Sequence, residues 1–316
     1  MRASKIITFT VLLLIASLLL SACGAKSSDV PKLADEPVVT PEPHEYEDDD
    51  SGVYDYVFDD GYIESEYEDE DVDENGNEID DTTAGRFEIY NIEGTTDTLG
   101  ADVWERMLLW RERAVLLAGL HRDTVIINMN PAENVVYLTF DDGPDPNNTV
   151  SVINTLIEYG VSATFFFTGE NIARHGDVVR KAHEAGFAIG LHGYGHKSFQ
   201  ELTAEEIITE LNESNDLLEA ITDERATIMR PPYGAAGNEE IKTISDLNLK
   251  IYLWSLDTLD WAQTDANEIL RNIKDYLRPG EIILMHAFSG QKLVPEILPS
   301  IIEFIRDEGF EMRALP

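Results

Sequence analysis

Two histidines four positions apart, His192-Gly-Tyr-Gly-His196, follow an acidic turn, Asp141-Asp142-Gly143-Pro144, at a distance of about fifty residues. Gly193 and Gly195 argue against a helix between the histidines, because glycine is costly in a helix interior, so the pair reads as a tight loop able to close round one ion. Alone, such a pair is an ordinary surface feature. Asp-Asp-Gly-Pro after a strand is likewise an ordinary turn, in which Asp caps backbone groups and Gly takes a positive φ. Together, one Asp and two His form the facial set that holds a divalent cation and leaves coordination positions open for water and substrate. An ion held in this way acidifies water and polarises a carbonyl, which is the chemistry of hydrolysis.

These residues can meet only if the fold brings distant strand ends together. Beyond Glu133 short apolar runs alternate with helical patterns, and strands are predicted at Val135–Phe140, Ala163–Phe167, Phe187–Leu191, Thr227–Arg230, Lys250–Trp254, Glu281–His286 and Phe310–Arg313. Ile269, Ile273 and Leu277 recur at helical spacing, and Thr203-Ala-Glu-Glu206 has the form of a capping box. Gly160, Gly186, Gly280 and Gly309 each stand between a helical pattern and a strand, where a left-handed cap residue belongs. Seven βα-like units in series predict an α/β fold with parallel strands, and a barrel is the preferred form. Asp141, Asp142, His192, His196, Arg230, Tyr233, Asp257, Asp260 and His286 all fall at predicted strand ends, so they converge on the face of a parallel barrel where active sites lie.

Five motifs, Thr139-Phe-Asp-Asp-Gly-Pro144, His192-Gly-Tyr-Gly-His196, Arg230-Pro-Pro-Tyr-Gly234, Asp257-Thr-Leu-Asp-Trp261 and Leu284-Met-His286, occur in this order. In order and approximate spacing they resemble those of NodB-type polysaccharide deacetylases, carbohydrate esterase family 4. The resemblance covers about Val135 to Pro316. It implies a distorted (β/α) barrel with fewer than eight complete units, and one divalent ion of the zinc type on Asp142, His192 and His196. It also implies Asp141 as general base and His286 as general acid, the latter a role that suits an imidazole near neutrality. By the same resemblance Arg230 orients Asp141, Asp257 fixes and tunes His286, the Tyr233 backbone N–H helps hold the oxyanion, and Trp261 and Leu284 wall the acetyl-methyl pocket. A salt bridge between Arg230 and Asp257 is the plainer alternative for two charges at the mouth of an apolar barrel. The chain departs from the family at Gly193, where Ser or Thr is usual, and at Leu191, often Asn; the lost hydroxyl removes a brace from the loop.

The net charge of −38 makes nucleic acid an improbable partner. The acid is concentrated: Asp35 to Gly85 holds 22 Asp or Glu and no Lys or Arg, a segment that repels itself and buries too little apolar surface to fold. Within it Asp71-Val-Asp-Glu-Asn-Gly-Asn77 has the alternating oxygen ligands of half a calcium loop, but Thr82 stands where the closing Glu belongs, and a solvated spacer is the preferred reading. Arg2 and Lys5 precede an apolar run from Ile6 to Leu20 and then Leu20-Ser-Ala-Cys23, an export signal that resembles a bacterial lipoprotein signal with Cys23 as the lipid-bearing residue.

The expected organisation is a signal at 1–23, a disordered acidic linker at 24–96, a helical extension at 97–133 and a catalytic domain at 134–316. Trp104, Leu108 and Val115 should lay the extension's helix against the domain. The expected activity is removal of N-acetyl groups from an extracellular N-acetylglucosamine polysaccharide, peptidoglycan or chitin-like, by an enzyme anchored to the membrane through its lipid. Acetyl-ester cleavage on xylan or another acetylated glycan, and a carbohydrate-binding lipoprotein without turnover, are the alternatives.

Overall fold

The computed structural model describes residues 87–316. The signal with Cys23, the bulk of the acidic linker and the partial calcium loop lie outside the described residues. Among those described, no helix is long and apolar enough to cross a membrane.

Among the described residues nine strands form one sheet: β1 (Val125–Ile126), β2 (Val135–Asp141), β3 (Thr164–Phe167), β4 (Ala188–Leu191), β5 (Ile228–Met229), β6 (Lys250–Tyr252), β7 (Leu256–Asp257), β8 (Ile282–His286) and β9 (Glu311–Met312). Their order is β1-β6-β5-β4-β3-β2-β8-β7, with β9 on the first residues of β2, and every ladder is parallel. All seven residues of β2 are buried, as in a parallel strand covered on both faces. The connections carry α1 (Ala101–Leu120), α2 (Asn148–Tyr159), α3 (Gly169–Arg174), α4 (Gly176–Glu184), α5 (Ala204–Thr222), α6 (Asn238–Asp246), α7 (Ala266–Tyr276) and α8 (Leu293–Asp307). The result is a distorted (β/α) barrel. The Thr203–Glu206 capping box opens α5, with Thr203 N–H on Glu206 at 2.8 Å and Glu206 N–H on Thr203 at 3.3 Å.

The sheet edges β1 and β7 do not pair with each other; the segment before α1 lies across that seam. Glu93 N–H donates to Ser255 O (2.9 Å) and Asp257 N–H to Glu93 O (2.8 Å), on the free edge of β7. On the β1 side, Asn128 accepts from Tyr90 N–H at 2.9 Å and donates to Glu88 O at 3.1 Å. Ile92 is buried, and Thr95 N–H reaches Asn272 on α7 at 2.9 Å. Residues 87–96, read from sequence as the end of a disordered linker, are therefore a packed strap. Unpaired strand edges are what such a segment satisfies.

The boundary drawn at 133 also dissolves, because β1 is a strand of the same sheet. The helix expected after the linker exists, with Val115 packed against the core and Trp104 partly buried beside Arg111, but its inward face is rotated away from Leu108. Met107, Trp110, Arg111, Ala114, Leu117 and Ala118 are buried, whereas Leu108 is 42% exposed. Trp110 stacks on Trp254 with ring centroids 5.1 Å apart, and that contact sets the rotation of α1.

Candidate active site

Asp141 ends β2 and Asp142 follows it in a left-handed conformation, φ 71°, which turns its carboxylate towards the loop after β4. That loop carries His192 and His196. The Asp142 Oδ1 lies 3.2 Å from His192 Nε2 and 3.0 Å from His196 Nε2, and one ligand atom from each residue falls within 4.8 Å of the others. His192 Nδ1 is 2.7 Å from the Arg230 carbonyl, which can only accept, so Nδ1 carries the proton and Nε2 presents a lone pair to a carboxylate oxygen. The same Asp142 Oδ1 is buried with no hydrogen-bond partner. Two acceptors facing each other at that distance call for a cation between them, and one carboxylate with two imidazoles is a donor set suited to a zinc-type ion. The residues fit the group.

The electrostatics favour the charged form of Asp142. Burial would raise the Asp142 carboxyl, but His196 and the contacts with both imidazoles outweigh it and hold it well below the usual carboxylate range. Burial would lower His196, and Asp142 reverses this, leaving it raised.

The loop 192–196 is braced from outside. Ser214 on α5 donates to Gly193 O (3.0 Å), and Glu210, one turn earlier, accepts from Tyr194 N–H (3.0 Å). Gly193 has φ +69°, and a Cβ there would meet Phe199 and Pro232 at 3.3 Å and Glu210 at 3.4 Å. The space a hydroxyl-bearing side chain would occupy is thus already taken. Sequence reading gave Glu210 and Ser214 no role; their i, i+4 spacing on a helix opening with a capping box is the signal that could have placed them over the loop.

Arg230 is fully buried after β5. Its guanidinium donates to Asp141 (2.8 Å), Thr139 (3.0 Å) and the carbonyls of Tyr252 (2.7 Å) and Leu253 (2.8 Å), and it lies 4.4 Å from the Phe166 ring centroid. Burial lowers its pKa while Asp141 opposes the shift. With its donors so used, the buried charge is compensated and Asp141 is fixed in orientation.

His286, the last residue of β8, is the ladder partner of Asp141 on β2. Its Nδ1 is 2.8 Å from Asp260 Oδ1, and its backbone N–H donates to Asp260 Oδ2 at 2.9 Å. Asp260, not Asp257, is therefore the carboxylate that holds the imidazole. Burial would lower His286, but Asp260, Asp142 and Asp141 together push it up to about 10. Asp257 faces the other way: its Oδ2 lies 3.4 Å from Arg111 on α1 and its Oδ1 accepts from Leu259 N–H at 2.9 Å. Both acids were visible at one strand end, and spacing could not choose between them. The turn decides it, because Leu259 takes φ 54° and swings Asp260 back over β8.

Tyr233 has φ 60° in the turn after Arg230, and its hydroxyl lies 3.1 Å from His196 Nδ1 with the rings edge to face. Its side chain therefore touches a metal-ligand candidate. Leu284 is buried one residue pair before His286, and Trp261, partly buried, follows Asp260 directly.

The sequence profile of the polysaccharide deacetylase family matches residues 128–252. A peptidoglycan-N-acetylglucosamine deacetylase of Bacillus cereus is 32% identical over 189 residues, covering 59% of this chain and 68% of that protein. A chitooligosaccharide deacetylase of Azorhizobium caulinodans is 29% identical over 198 residues, 58% of this chain and 94% of the relative. Among solved structures, the Bc1960 peptidoglycan N-acetylglucosamine deacetylase in complex with an N-oxidanyl-benzamide superposes with a TM-score of 0.61 at 27% identity, over 63% of this chain and 94% of that one. The profile spans the strands that carry Asp141, Asp142, His192, His196 and Arg230, and with that likeness the chain belongs to the polysaccharide deacetylase family of hydrolases, carbohydrate esterase family 4.

Proposed function

We propose that the protein removes N-acetyl groups from a polysaccharide containing N-acetylglucosamine, peptidoglycan in particular, with zinc held by Asp142, His192 and His196. The observation that carries this is the pairing of Asp141 and His286 on one rung of adjacent strands, each fixed by a buried charged partner, beside the three-residue ligand set. An ion there supplies a Lewis acid for the acetyl carbonyl and acidifies water.

The chain's own residues move the protons. Asp141, oriented by Arg230, accepts a proton from the water as its oxygen bonds to the carbonyl carbon. His286, with Nδ1 committed to Asp260, donates from Nε2 to the amide nitrogen as the C–N bond breaks. Acetic acid and a free amine form; the acid's proton returns to His286 as acetate leaves, and the proton on Asp141 passes to solvent. An imidazole raised to about 10 is protonated at neutral pH, the form a general acid needs; positive charge on Asp142 would draw that value down. A binding module has no use for both of these groups.

We further infer that the enzyme sits on the outer face of the cell membrane, anchored through Cys23. The basic pair Arg2 and Lys5, the apolar run Ile6–Leu20 and the small residues before the single cysteine support this, as does the acidic spacer that would let the domain reach a wall polymer. Peptidoglycan is the substrate nearest such an anchor.

The test is acetate release by the zinc-loaded full chain from purified peptidoglycan and from N-acetylglucosamine oligomers. The wild type should release acetate, Asp141→Asn should release almost none, and His286→Ala should lose amide cleavage while sparing an aryl acetate, whose leaving group departs without a proton. No release from either polymer with zinc demonstrably bound would overturn the reading.

A further inference from the structure

The helix α1 lies outside the span matched by the family profile, yet its residue Arg111 is buried in the catalytic domain and its guanidinium faces Asp257. Three separate stretches of chain meet there. Arg111 Nη1 donates to Gly94 O at 2.9 Å, Nη2 approaches Asp257 Oδ2 at 3.4 Å, and Asp257 N–H donates to Glu93 O at 2.8 Å. Gly94 lets the strap pass this close: a Cβ at that position would stand 2.1 Å from the Asp257 carbonyl oxygen.

Asp257 in turn braces a strained turn. Its Oδ1 accepts the Leu259 N–H, and Leu259, fully buried, sits at φ 54°, a region unfavourable for a residue that carries a Cβ. Thr258 anchors the same turn by donating to Leu284 O at 2.7 Å. The turn ends at Asp260, both of whose oxygens are spent on His286. Burial raises the Asp257 carboxyl, while the Arg111 guanidinium beside it and the Leu259 N–H oppose the shift, so the arginine is the charge that compensates this buried acceptor.

We propose that Arg111 is a positioning residue for the general acid. It acts through Asp257 and the 257–260 turn to hold Asp260 against His286, and so makes α1 and the strap working parts of the catalytic centre. The proposal rests on the general-acid role of His286 given above.

The full zinc-loaded chain is compared as wild type, Arg111→Met, Arg111→Lys and Arg111→Met with Asp257→Asn. The Asn keeps an acceptor for Leu259 without a buried charge. Arg111→Met should lower kcat on N-acetylglucosamine oligomers by about tenfold or more, with KM and zinc affinity unchanged and aryl acetate cleavage nearly intact, since only the amide needs the acid. Arg111→Lys should restore part of the loss, and the double variant most of it. The imidazole 15N spectrum supplies a readout free of turnover: the hydrogen-bonded Nδ1 signal of His286 should weaken or shift in Arg111→Met and return in the double variant.

Equal losses on amide and ester, a double variant no better than the single, or a wild-type-like His286 signal in Arg111→Met would each overturn the proposal. If Arg111→Met does not fold, the double variant decides. Recovery of the His286 signal supports the role, and failure to fold again means that Arg111 serves the fold alone. A wild type that cleaves no amide would sink the functional reading instead, and the imidazole spectrum would still judge Arg111.

Discussion

At the scale of single residues the site is a set of charges each held by one partner, and the partners predict different consequences. Asp260 spends both oxygens on His286, so Asp260→Asn should remove the charge that keeps the imidazole protonated and lower kcat on amide substrate by about two orders of magnitude. Asp257→Asn, which leaves an acceptor for Leu259, should cost less. The alkaline limb of the pH–kcat profile, where the general acid loses its proton, would distinguish them, moving to lower pH in the Asp260 variant, because the carboxylate that raises His286 is gone, and staying in place in the other. The cluster of Asp141, Asp142, His192 and His196 was legible in the sequence because adjacent residues and short loops fix their geometry. The assignment of Asp257 to His286 was not, since two acids three positions apart exchange roles on the sign of a single φ, that of Leu259. Arg111 was illegible for a simpler reason: its partner lies 146 positions away.

The elements divide in the same way. β2, β3 and β8 could be read because parallel strands covered on both faces are continuous apolar runs, whereas the two residues of β1 and the two of β7 are too few to make one. The strap was read as linker because its order comes from the edge of β7 and from Asn128, which are tertiary partners. The rotation of α1 was misjudged because leucines lie on its outer face, Leu109 and Leu116 both 47% exposed, while Trp110 packs inward. That packing makes a prediction at Gly234, whose φ is +64° and where a Cβ would stand 2.6 Å from the Trp110 ring and 2.9 Å from Trp254. Gly234→Ala should destabilise the domain by about 2 kcal/mol in urea unfolding, from overpacking and the left-handed backbone together. Because Tyr233 is the preceding residue and its hydroxyl meets His196, zinc affinity should fall as well. Thr203→Ala, which removes the α5 cap far from the aromatic pair, should cost about 1 kcal/mol with zinc affinity unchanged. Equal zinc affinities in the wild type and Gly234→Ala would separate the helix packing from the site.

For the molecule as a whole the seam decides whether the barrel stays closed, and a buried carboxyl sits in it. Glu281 is fully buried between Ser255 and Arg278. Arg278 also donates to Asn91 O on the strap at 3.2 Å and stacks on Tyr90 with 4.0 Å to the ring centroid. Tyr90 closes the loop by donating to Pro279 O at 3.0 Å. Burial pushes the Glu281 carboxyl up to about 7 from an ordinary 4.5; Ser255 and Arg278 oppose the shift, and Glu93 on the strap adds to it. Below pH 4.5 the group is protonated folded or unfolded, and its contribution is fully present. As pH rises towards 7 the unfolded chain releases the proton while the folded one retains it, so the contribution is lost as pH rises through the folded value. The shift corresponds to about 3 kcal/mol at its upper bound. Urea unfolding of the zinc-free chain at pH 5 and pH 8 should therefore show wild type losing a few kcal/mol more than Glu281→Gln over that interval. Parallel losses in the two proteins would mean that Glu281 is ionised throughout, with Arg278 holding the charge. The strap would then be pinned equally at every pH at which the enzyme works.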